Sequence, residues 1–474
     1  MIKKLLTHSL IYSLAPQIPK IAALVLMPII TKHVTAVDYG IYGVITSYLF
    51  FATALKDLGL GVVFVNTFYK HQKRWPFIWR LLHGHLMLWG LLFSVILLLL
   101  LKLAVPKEAS ENFWMIAAFT ILPAVFFDNT GLIGNYYFRF SQKPLYIGIV
   151  TTVAGIITII ATYYFIAVLN KGYMGWFMAN FVSSLIVFLF YVYPVYFKLK
   201  LTPILKFRKS FIMPHFKVAL PMIPHNYSSY LLNSSDRVVM DRLKVDINQI
   251  GKYNIAYNFG SYFESIGDAI GMAVGPFFSK LYTSKKENAE EDSRLLTFFL
   301  MSGFLCAAFL ASLWMKEIFQ VLISNAELRT SYGIAGIIIM SYCHRPMYWS
   351  AGIKLSIHEK TSVLWRITFV AGVANVVLNL IFVPFYGIYA AAVATMASLL
   401  YMGFSGFYFS SFKKMKGLNH YPERWIIAII VATAIVFLLK DMQIIVKSLI
   451  TITIGAGWLL WVYGNFKRLR AIDI

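Results

Sequence analysis

The sequence predicts an all-α, polytopic membrane protein with about 14 transmembrane helices. Three observations carry this: a composition too apolar for a soluble chain, a series of stretches of membrane-spanning length, and a one-sided placement of Lys and Arg. Of 474 residues, 59% are hydrophobic, 17% aromatic and 13% charged. A soluble domain has about 25% charged residues. So few charges cannot cover so much apolar surface in water. The same balance excludes a disordered chain, which needs low hydrophobicity and high charge. The net charge of +23 would suggest nucleic acid in a soluble protein. Here topology accounts for it, and no nucleic-acid partner is expected.

A helix crosses the hydrocarbon core with about 20 apolar residues. Fourteen stretches qualify: 9–31, 40–65, 81–105, 113–135, 145–169, 172–196, 217–236, 250–279, 295–315, 332–353, 363–383, 387–411, 425–440 and 443–465. The thirteenth is the shortest. Lys and Arg favour cytoplasmic loops. With the N-terminus inside, most basic residues fall on the inner side. The dense runs do so: Lys70, Lys73, Arg74 and Arg80; Lys198, Lys200, Lys206, Arg208 and Lys209; Lys413, Lys414 and Lys416. Acidic residues show no such bias. An even number of spans puts Lys467-Arg468-Leu469-Arg470 inside as well, so both termini are expected in the cytoplasm. The start Met-Ile-Lys-Lys leads into an apolar stretch with prolines and no small-residue cleavage site, which argues against a signal peptide.

Tryptophans fit this frame as interfacial anchors: Trp75, Trp79, Trp349, Trp365 and Trp425 near inner span ends, Trp114, Trp176 and Trp314 near outer ones. Cys306 and Cys343 sit in apolar runs and read as small core residues. No predicted loop exceeds about 20 residues. There is no Gly-x-x-x-x-Gly-Lys-Ser/Thr phosphate loop and no His-Glu-x-x-His motif. The energy for any transport therefore comes from an ion or substrate gradient.

An internal repeat shapes the expected architecture. The first span carries Pro16-Gln17-Ile18-Pro19 and the seventh Pro221-Met222-Ile223-Pro224. Each is followed by Gly-x-Tyr at the next span, Gly40-Ile41-Tyr42 and Gly251-Lys252-Tyr253. Two ordered motifs at matching positions argue for duplication with parallel topology. The expected domains are an N-terminal lobe 1–210, a C-terminal lobe 211–412 and an appendage 413–474. Prolines inside the first and seventh spans are expected to bend them.

The Pro-rich first span with Thr31-x6-Asp38-Tyr39-Gly40-x-Tyr42 resembles the polysaccharide-transport family of lipid-linked oligosaccharide flippases (Wzx-type, O-antigen and capsule). So does Asn233-Ser234-Ser235-Asp236-Arg237, followed by Ile250-Gly251-Lys252-Tyr253-Asn254-Ile255-Ala256. The wider superfamily includes MATE-type multidrug exporters and the lipid II flippase. The resemblance implies a bacterial inner-membrane flippase that moves undecaprenyl-diphosphate-linked sugars outward. Its partners would be that lipid-linked oligosaccharide, membrane lipids and a polysaccharide polymerase complex. It implies no cofactor beyond H+ or Na+ as coupling ion.

Ionisable groups inside spans are costly and point to function. Lys20 follows the first Pro-x-x-Pro, about 17 Å into its span, and His225 holds the matching place in the second copy. With Arg345 in the tenth span, they form a candidate cationic set for a diphosphate. For each a structural reading stands beside this one: an ion pair for Lys20, a carbonyl-bonded core histidine for His225, snorkelling for Arg345. Asp128, Glu264 and Asp268 are candidate ion-coupling acids. Glu264 and Asp268 share a helix face at i,i+4, where two close carboxylates repel and hold a proton or sodium ion. The alternative is pairing with a nearby Lys or Arg. Lys56-Asp57 reads as a local ion pair. Asp236 and Arg237, with Asp241 and Arg242, read as an outer gate or as a solvated helix end. No metal site and no catalytic residue is expected.

Three functions compete. The first is a glycan-lipid flippase, the second a cation-coupled drug exporter of the same fold. The third is a membrane oligosaccharide polymerase or glycosyltransferase. Such enzymes carry a large external loop, whereas the longest outer loop here spans 316–331 and bears no acid/base pair. Lys20, His225 and Arg345 favour an anionic ligand over a cationic drug.

Overall fold

The computed structural model describes residues 15–206, 209–220, 222–284, 288–415 and 417–471. Among them every regular element is helical and none is a strand. The chain divides into two compact units, Met1–Tyr230 and Leu231–Ile474. The division falls inside the predicted seventh span rather than before it.

The first unit opens with α1 (Gln17–His33). Among the described residues, Pro16 sits at its N-cap and Pro19 in its first turn, where proline is tolerated. Residues before Ala15 lie outside the described ones, so the expected bend at this motif is not described; the proline inside the described helix is Pro28. α2 (Ala36–Lys56) begins with a capping box: Asp38 N donates to Thr35 Oγ1 at 3.1 Å and Thr35 N to Asp38 Oδ2 at 2.8 Å. The other Asp38 oxygen accepts from Tyr173 N at 2.9 Å. Gly172 there has φ +51, and a Cβ would come within 2.6 Å of Asp38 Oδ1. The family-like Asp38 thus joins a helix start to a distant turn.

The predicted span 40–65 is broken. α2 stops at Lys56, Leu58 and Gly59 take positive φ, and α3 (Gly61–Lys70) resumes beyond them. Asp57 Oδ1 accepts from Gly59 N at 3.1 Å, which stabilises the turn. α3 then packs with α4 (Trp75–Ala104), α5 (Lys107–Phe140), α6 (Pro144–Val168), α7 (Met174–Lys198) and α8 (Lys209–Ala219). Their shared core holds Phe64, Trp79, Leu82, Ile133, Tyr191 and Ile212. Trp79, expected as an interfacial anchor, is fully buried, and its indole donates to Thr67 Oγ1 at 3.0 Å. Because α8 contributes Ile212 and Ala219 to this core, it belongs with the first unit. α5 widens into a π turn at Pro123–Phe127, where proline removes a backbone donor.

α9 (Met222–Asn233) is followed by α10 (Ser235–Arg242). The predicted seventh span is thus interrupted on both sides. Pro221 and the side chain of His225 lie outside the described residues.

The second unit is organised on α11 (Ile247–Thr283), 37 residues long, with Asp246 capping its start. α12 (Ala289–Leu313) follows, then the short α13 (Met315–Leu322) and α14 (Ala326–Arg329). α15 (Tyr332–Ser341) leads through a 3-10 turn, Tyr342–His344, into α16 (Arg345–Ile357). α17 (Thr361–Phe404) joins the predicted eleventh and twelfth spans, with a kink at Gly387 (φ 59, ψ −145). That conformation is essentially restricted to glycine. After α18 (Ser410–Lys413) come α19 (Pro422–Leu439) and α20 (Ile444–Ala471).

Two polar clamps fix this last pair. Lys447, fully buried, donates to both oxygens of Glu317 at 2.7 and 2.8 Å. Asp441 accepts from Tyr332 Oη at 2.6 Å and pairs with Lys316 at 3.0 Å. The Tyr332 bond, followed by Lys316, holds the Asp441 carboxyl down to about 2. Among the described residues eight helical stretches are long and apolar enough to cross a membrane on their own, and the chain is a multi-pass membrane protein. α11 is long but not among the eight, since it carries a stripe of polar groups.

Candidate functional site

That stripe comes from helical spacing. Tyr253, Tyr257, Glu264 and Asp268 lie four, seven and four residues apart, on one face of α11. Two arginines meet this face. Arg345 comes from the first position of α16, just after the 3-10 turn. Its guanidinium forks two carboxylates, with Nη2 on Glu264 Oε1 at 2.8 Å and Nη1 on Asp268 Oδ1 at 2.5 Å. Tyr342 Oη donates to the other Glu264 oxygen at 3.2 Å. Gly267 permits the approach: a Cβ there would meet Arg345 Cδ at 2.9 Å. The Arg345 side chain is 11% exposed, Glu264 25% and Asp268 59%. Exposure therefore rises along the cluster towards Asp268.

This joins three residues that the sequence assigns to two roles. Arg345 is neither loose nor snorkelling; two carboxylates engage it. One guanidinium bridges two carboxylates, and a proton or monovalent cation arriving at either acid would weaken that bridge. Arg345 as a donor for an anionic ligand would first have to leave an acid.

The second arginine, Arg237, is 4% exposed and Asp236 fully buried. Arg237 Nη1 reaches Asp236 Oδ1 at 3.2 Å and the Asn233 carbonyl at 2.9 Å, while Nε reaches Asn254 Oδ1 at 3.0 Å. The guanidinium lies 4.1 Å from the Tyr257 ring centroid. Tyr253 Oη donates to the other Asp236 oxygen. A solvated helix end is excluded by this burial. The Tyr257 and Tyr342 hydroxyls are hydrogen-bonded to each other. The two arginine clusters are therefore linked along α11.

In the first unit, Asp128 directly follows the π turn of α5 and forms an ion pair with Lys56. Lys56 thus reaches across to Asp128 rather than to its neighbour Asp57, whose carboxylate serves the turn at Gly59. Both partners are about three-tenths exposed. Lys20 is exposed on α1, in its first turn among the described residues; the stretch 9–14 from which its depth is counted lies outside them. Sequence reasoning missed Tyr253, Tyr257 and Tyr342, although their spacing to Glu264 and Arg345 was readable. It also missed the Lys447–Glu317 pair, because Lys447 stands near the end of an apolar stretch. Among the described residues no three His, Cys, Asp or Glu side chains gather as metal ligands.

The model of the family described as polysaccharide biosynthesis protein matches residues 5–282, more than half of the chain. The chain belongs to that family. No curated protein matches it. Among solved structures, this family member is similar to the lipid II flippase MurJ in an inward closed conformation, with TM-score 0.73, 13% identity, and 97% of this chain and 99% of that one covered. It is also similar to an inward-facing multidrug resistance MATE transporter of the MOP superfamily (TM-score 0.58, 14% identity, 92% and 96% covered). A third is a MOP superfamily transporter from Pyrococcus furiosus (TM-score 0.52, 14% identity, 87% and 96% covered), whose binding pocket is described as reversed in polarity. At these identities the likeness establishes the fold alone.

Proposed function

We propose that this polysaccharide biosynthesis protein flips an undecaprenyl-diphosphate-linked oligosaccharide outward across the bacterial inner membrane, by alternating access and with H+ or Na+ as driving ion. Both termini then face the cytoplasm, and a polysaccharide polymerase would receive the product. The observation that carries the reading is the Arg345 guanidinium bridging the two acids Glu264 and Asp268 on one helix face, in a chain of this family and fold. Proton or cation binding there changes the grip on Arg345. An ion does work only if it prefers one conformation over the other, and a charge cluster that rearranges on neutralisation supplies such a preference.

On this reading Lys20 meets the diphosphate as an exposed cation, and His225 remains a second candidate. Lys20→Ala is expected to abolish glycan export at unchanged protein level, with Lys20→Arg retaining part of it. Normal export by the alanine variant would remove Lys20 from the substrate site.

One observation favours a second reading. Two carboxylates, Glu264 and Asp268, on one face suit a cationic ligand, as in a cation-coupled drug exporter. Direct binding separates the two. Undecaprenyl-diphosphate glycan should compete for the purified protein, and hydrophobic cations should not.

A further inference from the structure

We propose that the groove between the second half of α17 and α19 is a binding site for an anionic phospholipid. The groove holds about 780 Å³, with Ala397, Leu400 and Phe404 on one wall and Ile426 and Ile430 on the other. It continues into a second apolar groove of about 710 Å³ that shares Ala397, Leu400 and Ile430. A lipid chain on a convex helix surface is touched on one side. Here it is enclosed by two helices, with more of its surface in contact.

Two polar features lie at one end. Ser405 lines the groove, is 9% exposed, and its hydroxyl finds no partner among the described residues. That hydroxyl is closed off beneath the groove surface, so the headgroup contact falls to the charged side chains at the mouth. Near the same mouth stand two exposed cations, Lys413 and Arg424, both close enough to act on Glu423, and Lys414, also exposed, follows Lys413 in the chain. Lys413 Nζ lies 5.8 Å from the ring centroid of Tyr408, itself a lining residue. The carboxylate at the rim, Glu423, accepts from Tyr408 Oη at 2.7 Å, which sets the start of α19 level with the basic end. Three cations against one acid leave a positive mouth on an apolar channel.

The depth fits a lipid of one leaflet. From Ser410 to Ala397 the chain rises roughly 20 Å at helical pitch, near half of the ~30 Å hydrocarbon core plus part of the headgroup zone. The acyl chain then occupies the groove and the phosphate meets Lys413, Lys414 and Arg424.

The test is native mass spectrometry of the purified protein in detergent, with phosphatidylglycerol and phosphatidylcholine at equal concentration. One phosphatidylglycerol should be retained, preferred roughly tenfold or more. The variant K413Q/K414Q/R424Q should lose that preference. Ala397→Trp should fill the groove and lose the lipid. The triple variant lies on the exposed surface, so it reads lipid binding even where Ala397→Trp unfolds. Equal retention of both lipids by the wild type overturns the proposal, as does an unchanged preference in the triple variant. Displacement of phosphatidylglycerol by stoichiometric undecaprenyl phosphate would assign the groove to a polyprenyl tail and overturn it too.

Discussion

Arg345 holds together two acids that would otherwise repel. Removing one partner of a buried ion pair costs about 3–5 kcal/mol. Asp268 and, less, Glu264 are open at the surface, so Arg345→Ala should cost less than a fully buried pair, about 2 kcal/mol. Adding Glu264→Gln and Asp268→Asn to that variant should restore most of the loss in thermal midpoint. An Arg345→Ala protein as stable as wild type would show that the fork contributes nothing. His420 gives a separate pH signature. It lies in the loop before α19, its ring near Phe298 and Phe407, with Nδ1 at 2.9 Å from the Leu418 carbonyl oxygen. Burial, and then nearby Lys354 and Arg294, lower its pKa to about 4, the Leu418 contact opposing. The unfolded chain takes up this proton near 6.5. Stability should be full above pH 6.5 and fall by about 1.4 kcal/mol per unit down to about 4. His420→Phe should flatten the difference in thermal midpoint between pH 7 and pH 5. At this scale the sequence showed which ionisable groups stand in apolar surroundings, since each interrupts an apolar run. It did not show their partners. Lys56 with Asp128, and Arg345 with Glu264 and Asp268, are distant in sequence, and only packing brings them together.

Helices were legible where apolar length alone decides, as in α4 and α6, and their turns were not. The break at 57–60 uses Leu58 at positive φ, a conformation that a leucine does not announce. Pro16-x-x-Pro19 was legible as a motif, and among the described residues it opens a helix, a place that proline fits as well as a kink. Gly387 offers a test at this level. A Cβ there would touch nothing within 4 Å, so the penalty of Gly387→Ala is purely backbone strain, about 1–3 kcal/mol. Gly455, inside α20, also has open space around it. There alanine should instead stabilise by about 0.5–1 kcal/mol. Opposite signs in thermal midpoint are expected, and a stabilising Gly387→Ala would contradict the kink.

For the whole molecule, the basic bias predicts that residues 197–216 and both termini face the cytoplasm. Single cysteines there, in a protein lacking Cys306 and Cys343, should resist a membrane-impermeant thiol reagent in intact cells. Ready labelling would invert the topology. The central claim is that a gradient drives flipping through the α11 acids. The direct measurement is flipping in proteoliposomes with and without an imposed proton or sodium gradient. The wild type should accumulate flipped substrate beyond equilibrium only under a gradient. Glu264→Gln and Asp268→Asn should bind substrate yet ignore the gradient. Wild-type flipping that is equally fast, and reaches the same end point, with and without the gradient would contradict the account.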